Sequence, residues 1–140
     1  MSTLIGAIGA SASALDVQRA RMEVAVSNMA NAESTRGPDG HPYRRREVVL
    51  ETTHDSSRGG RGVPVPGVRV AAVLEDQSPF QRRYEPSHPD ADADGFVAVP
   101  NVEVPEEMVD MLGAARAYQA NLTAIGLIRD TINRALELAK

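Results

Sequence analysis

The stretch that decides the fold is SNMANAESTRG, Ser27–Gly37. Ahead of it large apolar residues recur at helical spacing; within it the chain turns to Asn, Ser, Thr and Gly, with residues 38–140 still to come. Asn and Ser side chains bond nearby backbone and compete with helix continuation. The segment therefore marks where a long helix gives way to something else.

Upstream, Ile8, Leu15, Met22 and Met29 recur at intervals of seven, and Leu4, Ala25 and Ala32 fall three residues after Met1, Met22 and Met29 of the same frame. This is a heptad seam with small residues at half its sites. Ser11 and Gln18 interrupt it, while Ile5, Ala12 and Val26 lie one position further round and widen the face beyond the needs of a two-helix contact. At the other end Met108, Met111, Ala115, Tyr118, Leu122, Ile125, Ile132, Leu136 and Ala139 fall on alternating steps of three and four, with Arg129 the one polar member. Pro105 followed by Glu106 and Glu107 reads as a helix start, proline in the first turn and acids near the positive end of the dipole. From there to Lys140 a helix would span ~50 Å. Leu112, Leu127 and Ile128 add apolar surface off the seam, so this helix is expected to have more than one neighbour.

The intervening chain has a different period. Tyr43–Thr52 and Gly67–Asp76 read as strands, the second with Val68, Val70, Ala72 and Leu74 alternating. GRGVPVPG between them reads as a loop or edge, since its prolines remove ladder donors. Gln81–Tyr84 and Gly95–Val99 are shorter strand candidates. The expected fold is α+β: long N- and C-terminal helices (1–35 and 105–140, discontinuous) pairing as a coiled coil, with a small β-rich insert over 36–104.

Composition sharpens that outline. The 140 residues fit one ordinary domain and are 42% apolar, but aromatics are only 4%, Trp is absent, and the large aliphatics concentrate in the first 30 and last 36 residues. A core built from the middle alone would be small, and cores below roughly 70–80 residues are marginal without staples. There is no Cys to supply a disulfide or a thiolate metal site. Residues 36–84 carry nine Arg against six acids, while 85–110 carry eight acids and no Lys or Arg; such a dipolar surface suits either a subunit that meets other protein surfaces or a solvated loop. The N-terminus lacks the basic start and apolar run of a secretory signal, and no segment approaches the ~20 apolar residues of a membrane span. If the chain works outside the cytoplasm, the expected route does not cleave a signal.

Residue patterns for chemistry are weak. HPDADADG, His88–Gly95, sets three aspartates at alternate positions before a glycine, like the first half of a calcium loop. Counting Asp90 as the first ligand, position twelve is Asn101 rather than glutamate, so an acidic turn or interface loop is preferred over a cation site. His41, His54 and His88 have no regular spacing, and there is no nucleophile elbow, phosphate-cradling glycine loop or catalytic cysteine. No catalytic residue, metal site or cofactor is expected. Arg44, Arg45 and Arg46 could meet phosphate, but nucleic-acid binding normally brings a basic domain with interleaved aromatics, and this chain has net charge −4. Those arginines fit a charged sheet edge. With Pro89, Asp90, Asp92, Pro100 and Asn101 they stand as candidates for loops facing a neighbouring surface.

At SNMANAEST the chain resembles the axial proteins of the bacterial flagellum, whose rod and hook members carry a Ser-Asn, Ala-Asn and Thr signature near residue 30, after an N-terminal amphipathic helix. Ser27, Asn28, Ala30, Asn31 and Thr35 carry the match, and Arg36 stands where several members have glycine. The blocks YRRREVVL, SPFQRRYEPSHPDADADGFVAVPNV and EEMVDMLGAARAYQANL narrow the resemblance to proximal-rod members and extend it over nearly the whole chain. Two departures stand out: the family's N-V-[DN]-P-V-E-E-M reads NVEVPEEM here, and Gln119 replaces a frequent Glu. The resemblance implies a structural subunit, not an enzyme. Its terminal helices would pair in an axial core, with the seam residues as assembly seams and the middle segment outside. It further implies export, unfolded, through the flagellar type III apparatus, assembly into the periplasmic rod, and partnership with other rod subunits, basal-body rings and export-gate components, as motility requires. On that reading the stripes of a lone monomer stay unburied, so the termini would order on incorporation. Two other readings remain open at the level of sequence: a calcium- or ligand-binding module using Asp90, Asp92 and Asp94, and a self-contained α+β adaptor whose helices are packed in the monomer.

Overall fold

The computed structural model describes residues 2–55 and 65–138. In chain order they form α1 (Ser2–Ala30), β1 (Arg46–Asp55), β2 (Val65–Glu75), β3 (Gln81–Tyr84), β4 (Phe96–Val99) and α2 (Val104–Glu137). The expected α+β outline holds, with long helices at the two ends and a small antiparallel insert between them. Residues 60–64 of the expected proline-rich loop lie outside the described residues, and β2 takes in its end, Val65–Gly67.

α1 runs 29 residues and seven of them are alanine, the best helix former and the smallest side chain a close neighbour can meet. It stops at Ala30, because Asn31 turns its amide back to the Ser27 carbonyl (2.8 Å) and the Ser34 N–H bonds the Asn31 carbonyl (3.0 Å). α2 begins at Val104, with Pro105, Glu106 and Glu107 in its first turn as the sequence predicts, and Arg134 in its last. Its 34 residues extend ~50 Å.

α1 lies between two neighbours, α2 on one side and the β1–β2 hairpin on the other, whereas α2 packs principally against α1. The wide apolar surface of α1 has this cause. The stripes expected to stay unburied in a lone chain are thus partly covered within it, because each helix gives the other an apolar face. Leu4, Ile8, Leu15, Met22 and Met29 are all half-buried, and Val17 and Ala25 are buried. On α2 the inward face runs from Glu107 and Met111 through Ala114, Tyr118, Asn121 and Ile125 to Ile128 and Ile132, again in steps of three and four. The apolar repeat beginning at Met108 divides over two faces: Met111, Tyr118, Ile125 and Ile132 turn inward, while Met108, Ala115, Leu122 and Leu136 are exposed.

The insert is two separate two-stranded antiparallel ribbons, β1–β2 and β3–β4. In the first, Val49 faces Ala72 and Leu50 faces Val70, so Ala71 is bulged out of the β2 ladder. A two-stranded ribbon is marginal alone, and this one is tied to α1 by Ser13, whose hydroxyl donates to the Ala10 carbonyl (2.8 Å) and accepts the Val68 N–H (3.2 Å). Gly67 makes the approach possible, since a Cβ there would lie 2.9 Å from Thr53 Oγ1 and 3.3 Å from Ser13 Oγ. In the second ribbon Val97 and Val99 are buried, continuing into Pro100 and Val102 ahead of α2, and Tyr84 meets Phe96 edge-on at 5.2 Å between ring centroids.

Gly95 enters β4 at φ +81°, and a Cβ on it would come within 2.9 Å of Tyr84 Cε2 and 3.2 Å of Pro86 Cβ. Gly95→Ala combines left-handed backbone strain with overlap against a ring. It should destabilise the fold by about 1–3 kcal/mol, read as a lower urea midpoint with an unchanged slope.

Candidate functional site

Three elements converge where α1 ends, β1 begins and α2 starts, and one side chain joins them. Asn28 is fully buried. Its amide nitrogen donates to the Arg46 carbonyl (2.9 Å) and to Glu107 Oε2 (2.9 Å); its oxygen accepts the Tyr43 hydroxyl (2.9 Å) and the Arg46 N–H (3.0 Å). All four hydrogen-bonding positions of the amide are used. Sequence reasoning expects Asn28 and Asn31 to bond nearby backbone. Asn31 does so, whereas Asn28 pairs with the first residue of β1 like an extra strand residue and reaches across to α2.

Glu107 is 2% exposed, and a buried carboxylate requires compensation. Arg45 supplies it, donating from Nε to Glu107 Oε1 at 2.5 Å. The guanidinium also pairs with Glu47 and lies 3.7 Å from Asp110. Burial pulls the Arg45 pKa down, but Glu107 and Glu47 more than offset that, so the group is held above its ordinary value. The Arg45 main chain is pinned as well, its N–H bonding Asn101 Oδ1 (2.9 Å) and its carbonyl accepting the Asp76 N–H (2.8 Å). Asn101 in turn donates to the Asp76 carbonyl (3.2 Å), closing a ring of bonds around the root of the insert.

The rest of the Ser27–Thr35 segment extends this joint. Ser27 Oγ lies 3.3 Å from the Tyr43 hydroxyl, and Thr35 Oγ1 donates to Asp90 Oδ2 at 2.8 Å. Ala30 is exposed at the last turn of α1. Arg36 reaches the same Asp90 at 3.4 Å, and Arg83 bonds Glu33 at 2.8 Å, so the β3–β4 ribbon is tied to the turn after α1.

The loop candidates separate by position. Arg45, Asn101 and the buried Pro100 are occupied within the chain. Arg44 donates to the carbonyls of Asp76 and Ser78 (3.2 Å each) and lies 4.3 Å over the Phe80 ring; Arg46 lies 5.5 Å from the Tyr43 ring centroid and remains about half exposed. Arg46 opens β1, and Arg44 and Arg45 precede it. Pro89 is exposed beside Asp90. Asp92 accepts the N–H groups of Phe96 (2.9 Å) and Asp94 (3.0 Å) and pairs with Arg82 at 2.6 Å, so the aspartates of the acidic run face different partners. Among the described residues no group of three or more His, Cys, Asp or Glu is arranged to hold a metal ion. Tyr43 and Glu107 belong to the joint although sequence reasoning gave Tyr43 only to a strand and Glu107 only to the helix dipole; their partners are 15 and 79 residues away.

Asn28→Ala would orphan the Arg46 N–H and one side of Glu107, costing roughly 2–4 kcal/mol. In a double-mutant cycle Arg45→Ala and Glu107→Ala should couple by about 1–3 kcal/mol, since each alone strands the other's charge; additive losses in urea unfolding would refute the pairing. The Phe96 N–H, helped by Arg82 and the Asp94 N–H, holds Asp92 below the ordinary aspartate range. A lowered carboxylate contributes stability that is complete above its ordinary value and lost as pH falls through the lowered one. Thermal stability should therefore fall on acidification below about pH 4, and Asp92→Asn should flatten that slope.

The sequence resembles known proteins along nearly its whole length. Residues 93–138 match the family model for the flagellar basal body rod FlgEFG protein C-terminal region. The chain is 43% identical over 128 residues to the flagellar basal-body rod protein FlgC of Salmonella typhimurium, covering 91% of this chain and 92% of that protein. It is 39% identical over 149 residues to the Bacillus subtilis protein of that name, with 99% of each covered, and 38% identical over 141 residues to that of Agrobacterium fabrum, covering 100% of this chain and 98% of that one.

Proposed function

The chain belongs to the family of the flagellar basal-body rod protein FlgC, a structural component of the flagellar basal body, and from that premise we propose that it is a polymerising subunit of the proximal rod. On this reading it leaves the cytoplasm through the flagellar type III apparatus without a cleaved signal, assembles in the periplasm with other rod subunits against ring and export-gate components, and transmits torque for swimming. Segments 1–35 and 105–140 form the axial part and 36–104 the outer part. No helix among the described residues is long and apolar enough to cross a membrane.

The observation that carries the reading is the outer face of α2. Met108, Leu112, Leu122 and Leu136 are 41–52% exposed on a helix packed chiefly against one neighbour. A monomer seldom leaves large apolar side chains along one whole helix face without a partner. Parallel copies of such helices, seam to seam, resist twisting because every copy is gripped along its length. The exposed stripe is thus the surface for axial neighbours, and the Asn28 joint sets where the outer part leaves the axial helices.

Leu122→Asp tests this, because the side chain faces outward and the single chain should lose little, within about 0.5 kcal/mol for a surface site plus a small helix-propensity cost. Swimming should nevertheless be abolished while the purified monomer remains folded and soluble. Ile125→Asp, on the inward face, should destabilise the monomer itself. Normal swimming of the Leu122→Asp strain would refute the polymerising reading.

A further inference from the structure

The chain carries two charged surfaces that its own packing pairs only in part, and they lean to opposite signs. The first is an open cleft of about 750 Å³ between the turn after α1 and the start of β1. Arg36, Arg44 and Arg46 line it, against Asp39 and Glu75, with Arg36 paired to Asp90 at 3.4 Å. Arg44 bonds only carbonyl oxygens, and Arg46 comes no nearer to Glu75 than 4.0 Å. Both guanidinium groups lie over aromatic rings, Phe80 and Tyr43, so the cleft presents flat cationic and aromatic surfaces together. The second surface is the outer side of the first turns of α2. There Pro105, Glu106, Val109 and Asp110 border a shallow depression of about 440 Å³, with Val109 68% exposed and Met108 50% exposed beside it. Glu106 has no ion-pair partner among the described residues, and Asp110 shares Arg45 only at 3.7 Å.

We propose that the outer face of the first turns of α2, centred on Glu106, Val109 and Asp110, docks into the Arg44–Arg46 cleft of a second copy of the chain. This rests on the polymerising reading and names the surfaces that meet. Neither surface can pair with itself, since like charges would be apposed; each is complementary to the other. A contact between two different patches of one molecule is heterologous, and it propagates into a ring or an open helical array rather than closing as a two-fold dimer. Val109 and Met108 would lie against Tyr43 and Phe80, with Glu106 and Asp110 facing the guanidinium groups.

The absence of cysteine makes the contact measurable by cross-linking on a clean background. Pro42→Cys places a thiol in the cleft and Val109→Cys one on the helix. Basal bodies from swimming cells carrying both substitutions in one chain, treated with a short bismaleimide, should yield a ladder of dimers, trimers and higher species, and either single variant none. Swimming cells without a ladder would overturn the contact and leave the rod reading standing, as would a cross-link to a different polypeptide. A wild-type chain missing from purified basal bodies would overturn the rod reading itself. Independently of the thiols, Arg46→Glu or Glu106→Arg should cut incorporation roughly tenfold or more, and the two together should restore it. Failure of the paired reversal to restore incorporation, with each chain folded by circular dichroism, would also overturn the contact.

Discussion

A carboxylate taken out of water needs its charge answered within a few ångströms, and here the answer comes from parts of the chain far apart in sequence. Glu107 is met by Arg45 at 2.5 Å and by the Asn28 amide at 2.9 Å. Because Asn28 also holds the backbone of Arg46, the end of α1, the beginning of β1 and the first turns of α2 are fixed in one place. Few apolar side chains could do this work: the buried ones among the described residues are Val17, Ala25, Val97, Val99, Pro100, Val102 and Ala114. With so small a core, directional polar bonds decide the angle between the helices and the insert.

The two helices divide the remaining work unequally. α1, alanine-rich and covered on two sides, is the spine to which both α2 and the β1–β2 ribbon attach. α2 gives one face to α1 and leaves a second, partly apolar face exposed. Ala114, fully buried, lets the helices approach closely, while the bulkier Met108, Leu112 and Leu122 on the other side stay exposed.

Periodicity made the helices and ribbons legible, and Pro105 with its two following acids located the start of α2 to within one residue. Which side of α2 turns inward was less legible, because the inward face includes Glu107, Asn121 and the small Ala114, none of which a hydrophobic pattern weights. Ser27–Thr35 was legible as a helix end and, by resemblance, as a family signature. That Asn28 binds across to Glu107 was not, since local propensity carries no information about a partner 79 residues away. Asp90 shows the same limit: read beside Asp92 and Asp94 it suggests a cation loop, yet its oxygens face Thr35 and Arg36.

That separation in sequence also bears on the order of folding. The ribbons close from residues near one another, but the Asn28–Glu107 bond must close a long loop, at an entropic cost that grows with the logarithm of its length. Contacts of this kind form late and slow the reaction that contains them. Until the α2 segment is free to reach back, the Asn28 amide hydrogen and the Arg45 Nε–H that meet Glu107 have only water to bond. A chain whose two terminal helices are held apart therefore cannot complete the joint between Asn28, Arg45 and Glu107.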